Sequence, residues 1–383
     1  MRIGMISGEY PPLQGGVGAY TQILSHKLAD NGHEVFIYSS AQAQESDPRL
    51  HLDSSGKWNF TSVRQIERWV TKNRLDVVNI QYQTAAYGMS PYIHFIPNIL
   101  RRAPVVTTFH DLRYPYLFPK AGRLRDWIVT HLARASDGAI ATNHEDMQRL
   151  HSINIPCTSL IPIGSNILSE VPTDLDVSPW REKVGAQAGD FLIAFFGLIN
   201  ASKGLATLLN AFSELRNRGI AAKLVIIGDV GSSDPTNGTY AAHIRAHIQA
   251  QSLAESVHIT GYLDEADVSH YLSAADCIAL PFLDGASYRR GSLMAAIHYG
   301  CAIITTQPAI DIPALIDNEN MLLVPVGDVT ALSNALEKLY HFTELRDKLK
   351  HGAKALAMHF DWGMIARQTA AFFETVISRS AVT

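Results

Sequence analysis

The chain has 383 residues, 47% of them hydrophobic and 18% charged, with a formal net charge of −4 at pH 7. That length exceeds one ordinary core and predicts two domains, and the composition belongs to a folded globular protein rather than a disordered one. A net acidic chain lacks the basic footprint that nucleic acid would require, so nucleic acid is not expected as a partner.

Short β-rich runs alternate with helical patterns almost throughout, the signature of parallel βαβ units. Strands are expected over 2–7, 34–39, 77–81, 105–109, 138–142 and 158–162. Residues 17–31 have helical spacing and stop at Asn31-Gly32, a C-cap pair. A second series of strands is expected over 191–197, 224–228, 257–260, 277–281, 302–306 and 321–324. Between Ser165 and Asp190 lies a polar stretch with Pro172 and Pro179 and no strand pattern, read as the inter-domain linker. The domains are thus expected at 1–168 and 169–359, each a parallel sheet wrapped by helices, facing one another across a cleft. Residues 360–383 read as an amphipathic helix with Ile365, Phe372, Phe373 and Val376 on one face and Thr369 between them. Such a helix must dock, on its own domain or back on the first.

From Met1 the chain runs straight into a strand, without the apolar stretch of a secretory signal, and no window reaches the ~20 apolar residues of a membrane span. Cys157, Cys277 and Cys301 are odd in number and lack CxxC spacing. They read as reduced, buried thiols of a cytoplasmic protein, with no disulfide and no metal site expected.

Chemistry is expected in the loops that follow strands. After the first comes Gly8-Glu9-Tyr10-Pro11-Pro12-Leu13-Gln14-Gly15-Gly16-Val17-Gly18. Its glycines would let backbone approach a ligand and leave N–H donors free at a helix start, or would simply make a tight turn. His110-Asp111 ends the strand 105–109. His110 there suits a hydroxyl contact or acid–base work, or a structural role, and Asp111 either orients the imidazole or caps the next segment. Gly197 to Gly204 places Lys203 near a helix start, where a bound anion explains a cation better than the helix does. Gly228-Asp229-Val230-Gly231-Ser232-Ser233 is a flexible polar loop that lines the cleft or only turns. Tyr262, after 257–260, either stacks a flat base or packs in the core. Most informative is Asp284-Gly285-Ala286-Ser287-Tyr288-Arg289-Arg290-Gly291-Ser292-Leu293, which opens directly into an apolar helix. Two arginines beside free N–H groups and a helix dipole make an anion site, most naturally for phosphate.

Taken in order, Gly15-Gly16-Val17-Gly18, His110-Asp111, Gly197…Ser202-Lys203-Gly204, Val257-His258-Ile259-Thr260-Gly261-Tyr262, the segment 287–306 and the helix after Phe360-Asp361-Trp362 resemble the family 4 glycosyltransferases of the GT-B fold. The resemblance covers nearly the whole chain. It implies two Rossmann-like domains, with the C-terminal helix crossing back to the N-terminal one. It also implies transfer of a sugar from a nucleoside-diphosphate donor, UDP first by family frequency and GDP next, to a hydroxyl acceptor, with retention and without metal or cofactor. The donor would sit mainly on the C-terminal domain and the acceptor on the N-terminal one. Carried onto this chain, the catalytic set is His110, Lys203, Arg290 and Asp284. Gly16, Gly18, Gly197, Tyr262, Ser287, Arg289, Gly291, Ser292 and Leu293 would join the donor contacts, and Tyr10, Gln14, Gly15 and Asp111 the acceptor contacts.

Two departures stand out against the family. Leu198 stands where an arginine is usual, and aligning on Gly300 puts Ala295 where a carboxylate would hold the ribose, with Ser287 at the other glutamate position. Arg289 or Arg290 is expected to replace the missing positive charge, and Asp284 to bind sugar hydroxyls. The alternatives left open are a catalytically degenerate nucleotide-sugar-binding partner subunit and a GDP-mannose-dependent mannosyltransferase. On the acceptor side, Lys120 to Ile128 with Arg101-Arg102 reads either as a basic, Trp-bearing face for the inner surface of the plasma membrane or a lipid-linked acceptor, or as an ordinary helix with Trp127 buried, the second being preferred.

Overall fold

The structure, a computed structural model, describes residues 1–13, 15–112, 123–230 and 236–381, with the side chains of all but 123–126 and 236–237. The chain forms two compact units, Met1–Asn166 with Asp361–Thr383, and Ile167–Phe360.

In the first unit the strands are β1 (Arg2–Ser7), β2 (Glu34–Ser40), β3 (Leu50–Gly56), β4 (Val77–Tyr82), β5 (Val105–Phe109), β6 (Gly138–Ala141) and β7 (Thr158–Leu160). They form one sheet in the order β3-β2-β1-β4-β5-β6-β7, every neighbouring pair parallel. Its helices are α1 (Gly16–Asp30), α2 (Phe60–Asn73), the single turn α3 (Ile96–Ile99), α4 (Arg123–Ala135) and α5 (His144–Ser152). Central strands buried on both faces read as apolar runs, as in the fully buried β5. β3 was not expected: its LHLDSSG sequence is half-exposed on the sheet edge and carries no such run. The strand order reverses between β1 and β4, so the loops leaving their carboxyl ends diverge and open a crevice.

The second unit repeats the plan with β8 (Phe191–Phe196), β9 (Ala222–Ile227), β10 (Val257–Ile259), β11 (Cys277–Leu280), β12 (Ile303–Thr306) and β13 (Leu322–Val324), all parallel, in the order β10-β9-β8-β11-β12-β13. Here the reversal falls between β8 and β11. Helices α6 (Ser178–Lys183), α7 (Leu205–Asn217), α8 (Thr236–Ala250), α9 (Glu265–Ala274), α10 (Gly291–His298), α11 (Val329–His341) and α12 (Thr343–Ala357) cover the sheet. The short α6 stands inside the stretch read as a linker; Arg181 fixes it by donating to the carbonyls of Ala274 and Asp190 and to Asp276. The core gathers the inward faces of β8, β9, β11 and β12 against α7 and α11.

The last helix, α13 (Trp362–Ser380), belongs to the first unit. Trp362 Nε1 donates to the Ser165 carbonyl at 2.6 Å, and Ile365, Thr369, Phe373 and Val376 are buried. A Cβ on Gly138 would lie 2.7 Å from Val376 Cγ2, so that glycine lets the helix approach the sheet. All three cysteines are buried free thiols. Among the described residues no helix is long and apolar enough to cross a membrane.

Candidate active site

The second unit's crevice is built by two loops from the strands that flank the reversal. After β8, Gly197 (φ 136°) donates its N–H to the Ile227 carbonyl. Gly228 at the end of β9 has the same φ, and a Cβ there would lie 2.3 Å from the Gly197 oxygen. The loop continues through a 3-10 turn, Ala201–Lys203, to Gly204 (φ 71°), where a Cβ would fall 1.8 Å from the Pro281 carbonyl oxygen. Only glycine fits so close to the loop that follows β11. The close approach brings Lys203 across to α10, where its Nζ donates to Ser292 Oγ at 3.3 Å. A Cβ on Gly197 would sit 3.5 Å from Lys203 Nζ and 3.7 Å from Ser292 Cβ, so all three border one space.

The β11 loop completes it. Phe282 is fully buried, and one ring carries two cations, Lys203 Nζ 5.2 Å and Arg290 Cζ 5.0 Å from its centroid. Arg290 Nη2 donates to Asp284 Oδ1, and Arg289 Nη2 lies 3.8 Å from the other oxygen of that carboxylate. Arg290 Nη1 reaches Ser202 Oγ at 3.5 Å. Three cations therefore meet one carboxylate. Burial pushes the Lys203 ammonium down to about 8, Arg290 pushes the same way, and Asp284 opposes them. Lys203 is still largely protonated at neutral pH. Arg290 is also the N-cap of α10 and gives it no side-chain cap; its carbonyl receives the N–H groups of Leu293 and Met294. An excess of positive charge at a helix start, on rigid glycine-shaped backbone at the topological switch point, is suited to hold a diphosphate and to stabilise charge growing on it as it leaves.

Several expectations change here. Asp284 is the counter-ion of both arginines rather than a carboxylate reserved for sugar hydroxyls. Leu293 presents nothing to a ligand, because its side chain is buried and its N–H is bonded to Arg290. Ser287 and Gly291 are half-buried at the loop, the Ser287 carbonyl accepting from Arg290 N at 3.0 Å. Ala295 is fully buried in α10, and Leu198 is 48% exposed. Tyr262 is 68% exposed, which removes its core alternative. Of the 228–233 loop, Gly231, Ser232 and Ser233 lie outside the described residues. Phe282 was missed altogether, since an apolar residue after an apolar strand looks like more strand.

In the first unit the glycine loop differs from expectation. The Glu9 carboxylate accepts from the N–H groups of Val17 (3.1 Å) and Gly18 (3.2 Å), occupying the start of α1 that was expected to be free for a ligand. A Cβ on Gly15 would fall 2.2 Å from Glu9 Oε1, so that glycine makes room for Glu9, whereas Gly16 faces open space. Burial raises the Glu9 pKa, and the two backbone bonds oppose the rise. Tyr10 cannot touch an acceptor: it is fully buried and its hydroxyl donates to Glu45. Gln14 lies outside the described residues.

His110 stands just past β5, half-buried, its ring edge-on to Tyr20 of α1 at 4.6 Å. Burial pulls its pKa down to about 3, so the imidazole is neutral at physiological pH. A chain of buried amides fixes its tautomer. Asn79 Nδ2 donates to the Val106 carbonyl at 3.0 Å, which turns Asn79 Oδ1 toward Gln81 Nε2 as an acceptor. Gln81 Oε1 must then accept from His110 Nε2 at 2.8 Å. The proton is on Nε2, and Nδ1 keeps its lone pair as a hydrogen-bond acceptor. Gln81 rather than Asp111 is thus the residue seen to orient the ring; Asp111 follows, half-buried. The signal was legible as two amides, Asn79 and Gln81, at period two inside an otherwise apolar strand.

Lys120 to Gly122 lie outside the described residues. Trp127 is 52% exposed, not the buried residue preferred from sequence; its ring stacks on His131 at 5.3 Å without being covered.

Comparison with known proteins agrees with this architecture. Residues 14–166 match the model for Glycosyltransferase Family 4, and residues 190–341 match that for Glycosyl transferases group 1. The chain is 24% identical to a phosphatidyl-myo-inositol mannosyltransferase of Mycolicibacterium smegmatis, over 98% of this chain and 94% of that protein. It is likewise 24% identical to an MMP alpha-(1->4)-mannosyltransferase of Mycolicibacterium hassiacum, over the full length of both. Among solved structures, Anabaena Alr3699/HepE in complex with UDP and glucose superposes with a TM-score of 0.77 at 17% identity, over 97% of this chain and 98% of that one. Sucrose-phosphate synthase from Thermosynechococcus elongatus gives 0.78 at 18%, over 99% of each. With both halves matched in order and the two-sheet plan shared, the chain belongs to the family 4 glycosyltransferases and has their GT-B architecture.

Proposed function

We propose that this glycosyltransferase moves a sugar from a nucleoside-diphosphate donor, a UDP-sugar, to the hydroxyl of a lipid-linked or sugar acceptor, with retention and without a metal. The observation that carries the reading is the cation excess of Lys203, Arg289 and Arg290 over Asp284 at the uncapped start of α10. A departing diphosphate needs its growing charge neutralised, and fixed cations with helix-start N–H groups can do this in place of a divalent ion. In this reading Ser292 and Lys203 hold the phosphates, Arg290 substitutes for the cation lost at Leu198, and exposed Tyr262 offers its face to the base. His110, neutral and with its Nδ1 lone pair fixed, accepts a hydrogen bond from a sugar hydroxyl. The departing phosphate oxygen takes the acceptor proton, so no protein base is assigned.

The mannosyltransferase names of two relatives favour a second reading, a mannosyl donor such as GDP-mannose. Thermal-shift titration against UDP-, GDP-, ADP- and dTDP-sugars separates these, because a ligand bound only to the native state raises Tm by mass action. The proposal expects a UDP-sugar to give the largest shift, and slow donor hydrolysis without acceptor in the presence of EDTA. A shift with GDP-mannose alone selects the second reading, and binding without any hydrolysis or transfer selects a degenerate binding subunit.

A further inference from the structure

One face of the first unit is unlike the rest of an acidic chain. Helix α2, the stretch 83–104 that holds α3, and α4 pack against one another. Each carries a net charge of +2 with histidine neutral, although the whole chain is −4. Between Gln83 and Pro104 there is no acidic residue at all. On α2 the charged positions at the surface are Arg64, Arg68 and Lys72, while the single acid, Glu67, is half-buried. Arg101 and Arg102, directly after α3, are both exposed.

Large apolar groups stand among these cations. Phe60 is 65% exposed, Trp127 52%, Tyr92 39% and Ile99 38%. They belong together: the Phe60 and Tyr92 rings lie 6.2 Å apart, and Phe95 joins Trp127 at 6.4 Å. His131, which stacks on Trp127, bonds Asn98 of α3 at 2.8 Å. The ring positions are therefore fixed by neighbours from three elements. Exposed aromatics grouped in this way are uncommon on a protein surface that meets only water.

We propose that this face is a membrane-docking surface for anionic lipid. The aromatic rings and Ile99 enter the headgroup boundary, and the arginines of α2 and of the 101–102 pair meet the lipid phosphates. Charge complementarity selects this occupant: an apolar protein partner would not require three adjacent elements of one sign, and a nucleic acid would leave the exposed Ile99 and Phe60 without a role. The inference goes beyond the donor reading and does not depend on it.

The test is co-sedimentation of the full chain with vesicles of phosphatidylcholine, alone or mixed with phosphatidylglycerol, without donor or acceptor. The protein is expected to pellet with the mixed vesicles at low salt and to be released as salt rises. Arg101→Ala and Arg102→Ala should each weaken binding roughly five-fold, the equivalent of about 1 kcal/mol per basic residue near the surface. Trp127→Ser should weaken it equally at low and high salt. Unchanged circular dichroism excludes misfolding of the variants. The proposal is overturned if the wild type stays in the supernatant, if the arginine variants pellet like the wild type, or if Trp127→Ser instead abolishes a concentration-dependent dimer, which would make a second copy the occupant. Donor thermal shifts measured on the same variants should be unaltered, so loss of this proposal and loss of the transferase reading are separate results.

Discussion

Two helix starts, one in each unit, look alike in sequence and are opposite in chemistry. Both α1 and α10 follow a glycine-bearing loop at a topological switch point, and neither has a side chain at the N-cap position that bonds into the helix. At α1 the chain supplies its own anion, Glu9, which takes the N–H groups of Val17 and Gly18. At α10 it supplies cations instead, with Lys203 and Arg290 flanking Phe282 and one carboxylate between two arginines. A helix start that is internally satisfied is structural, whereas one surrounded by like charges is incomplete until an anion arrives. Glycine content alone does not distinguish them; the sign of the neighbouring charge does.

The largest expected effect comes from removing the cation that defines the second of these. Lys203→Met keeps the stem over Phe282 and deletes the charge, and transfer should fall about 10²- to 10³-fold in kcat, the usual cost of losing one group that stabilises developing charge. UDP affinity should also depend on pH in the wild type and not in the variant. The folded pKa of Lys203 is lowered to about 8 from 10.5. The penalty for burying its charge is therefore complete below pH 8 and is relieved as pH rises from there towards 10.5. A bound diphosphate favours the charged form, so UDP affinity should weaken above pH 8, measured by calorimetry in two buffers that also report proton uptake. A flat affinity from pH 7 to 9.5 would remove Lys203 from the phosphate site.

A smaller effect is expected at α1, and on stability rather than turnover. Glu9→Ala leaves two partly buried N–H groups without their acceptor, which costs about 1–3 kcal/mol and lowers Tm by roughly 2–4 °C per kcal/mol in a unit of this size. Glu9→Gln keeps an acceptor and removes the charge. The folded pKa of Glu9 is raised, so its carboxylate is disfavoured in the native state as pH rises through that value. The glutamine variant should then match or exceed the wild type at pH 7 in a thermal melt. If both variants behave alike, the carboxylate at α1 is not the cap it is taken to be.

Much of this architecture was legible because buried parallel strands announce themselves as apolar runs between helical patterns. The runs at β1, β5 and β8 are buried almost end to end. β3 was invisible for the converse reason, its edge position leaving it polar. Lys203, Arg289, Arg290 and Ser292 were found because cations and small residues at a loop-to-helix junction carry chemistry in their spacing. Glu9 was not, since its contacts lie eight and nine residues along the chain through a proline turn that sequence does not orient. Phe282 was hidden by its own hydrophobicity, and Trp127 was misjudged because periodicity gives a helix face without saying whether anything covers it.

The smallest effect concerns the amide chain behind His110, and it tests whether the first unit's crevice is arranged for a ligand at all. Gln81→Leu removes the acceptor of the Nε2 proton, while Asn79 keeps its bond to the Val106 carbonyl. The imidazole can then hold its proton on either nitrogen, and the fraction with an Nδ1 lone pair falls. A hydroxyl bond to Nδ1 would weaken accordingly, lowering kcat/KM by about ten-fold at most, since one neutral hydrogen bond is worth roughly 0.5–1.5 kcal/mol. Ring nitrogen chemical shifts should show a pure Nε2–H tautomer in the wild type and a mixture in the variant. Because the folded pKa is lowered to about 3, wild-type stability should fall as pH drops from 6.5 towards 3, where the unfolded chain binds the proton that the native ring refuses. The pH–rate profile between 5 and 8 should contain no limb from His110. A mixed tautomer already in the wild type would break the relay. A changed tautomer with unchanged kcat/KM would keep the relay but make His110 structural, leaving α10 and its cations as the chemically active half of the comparison.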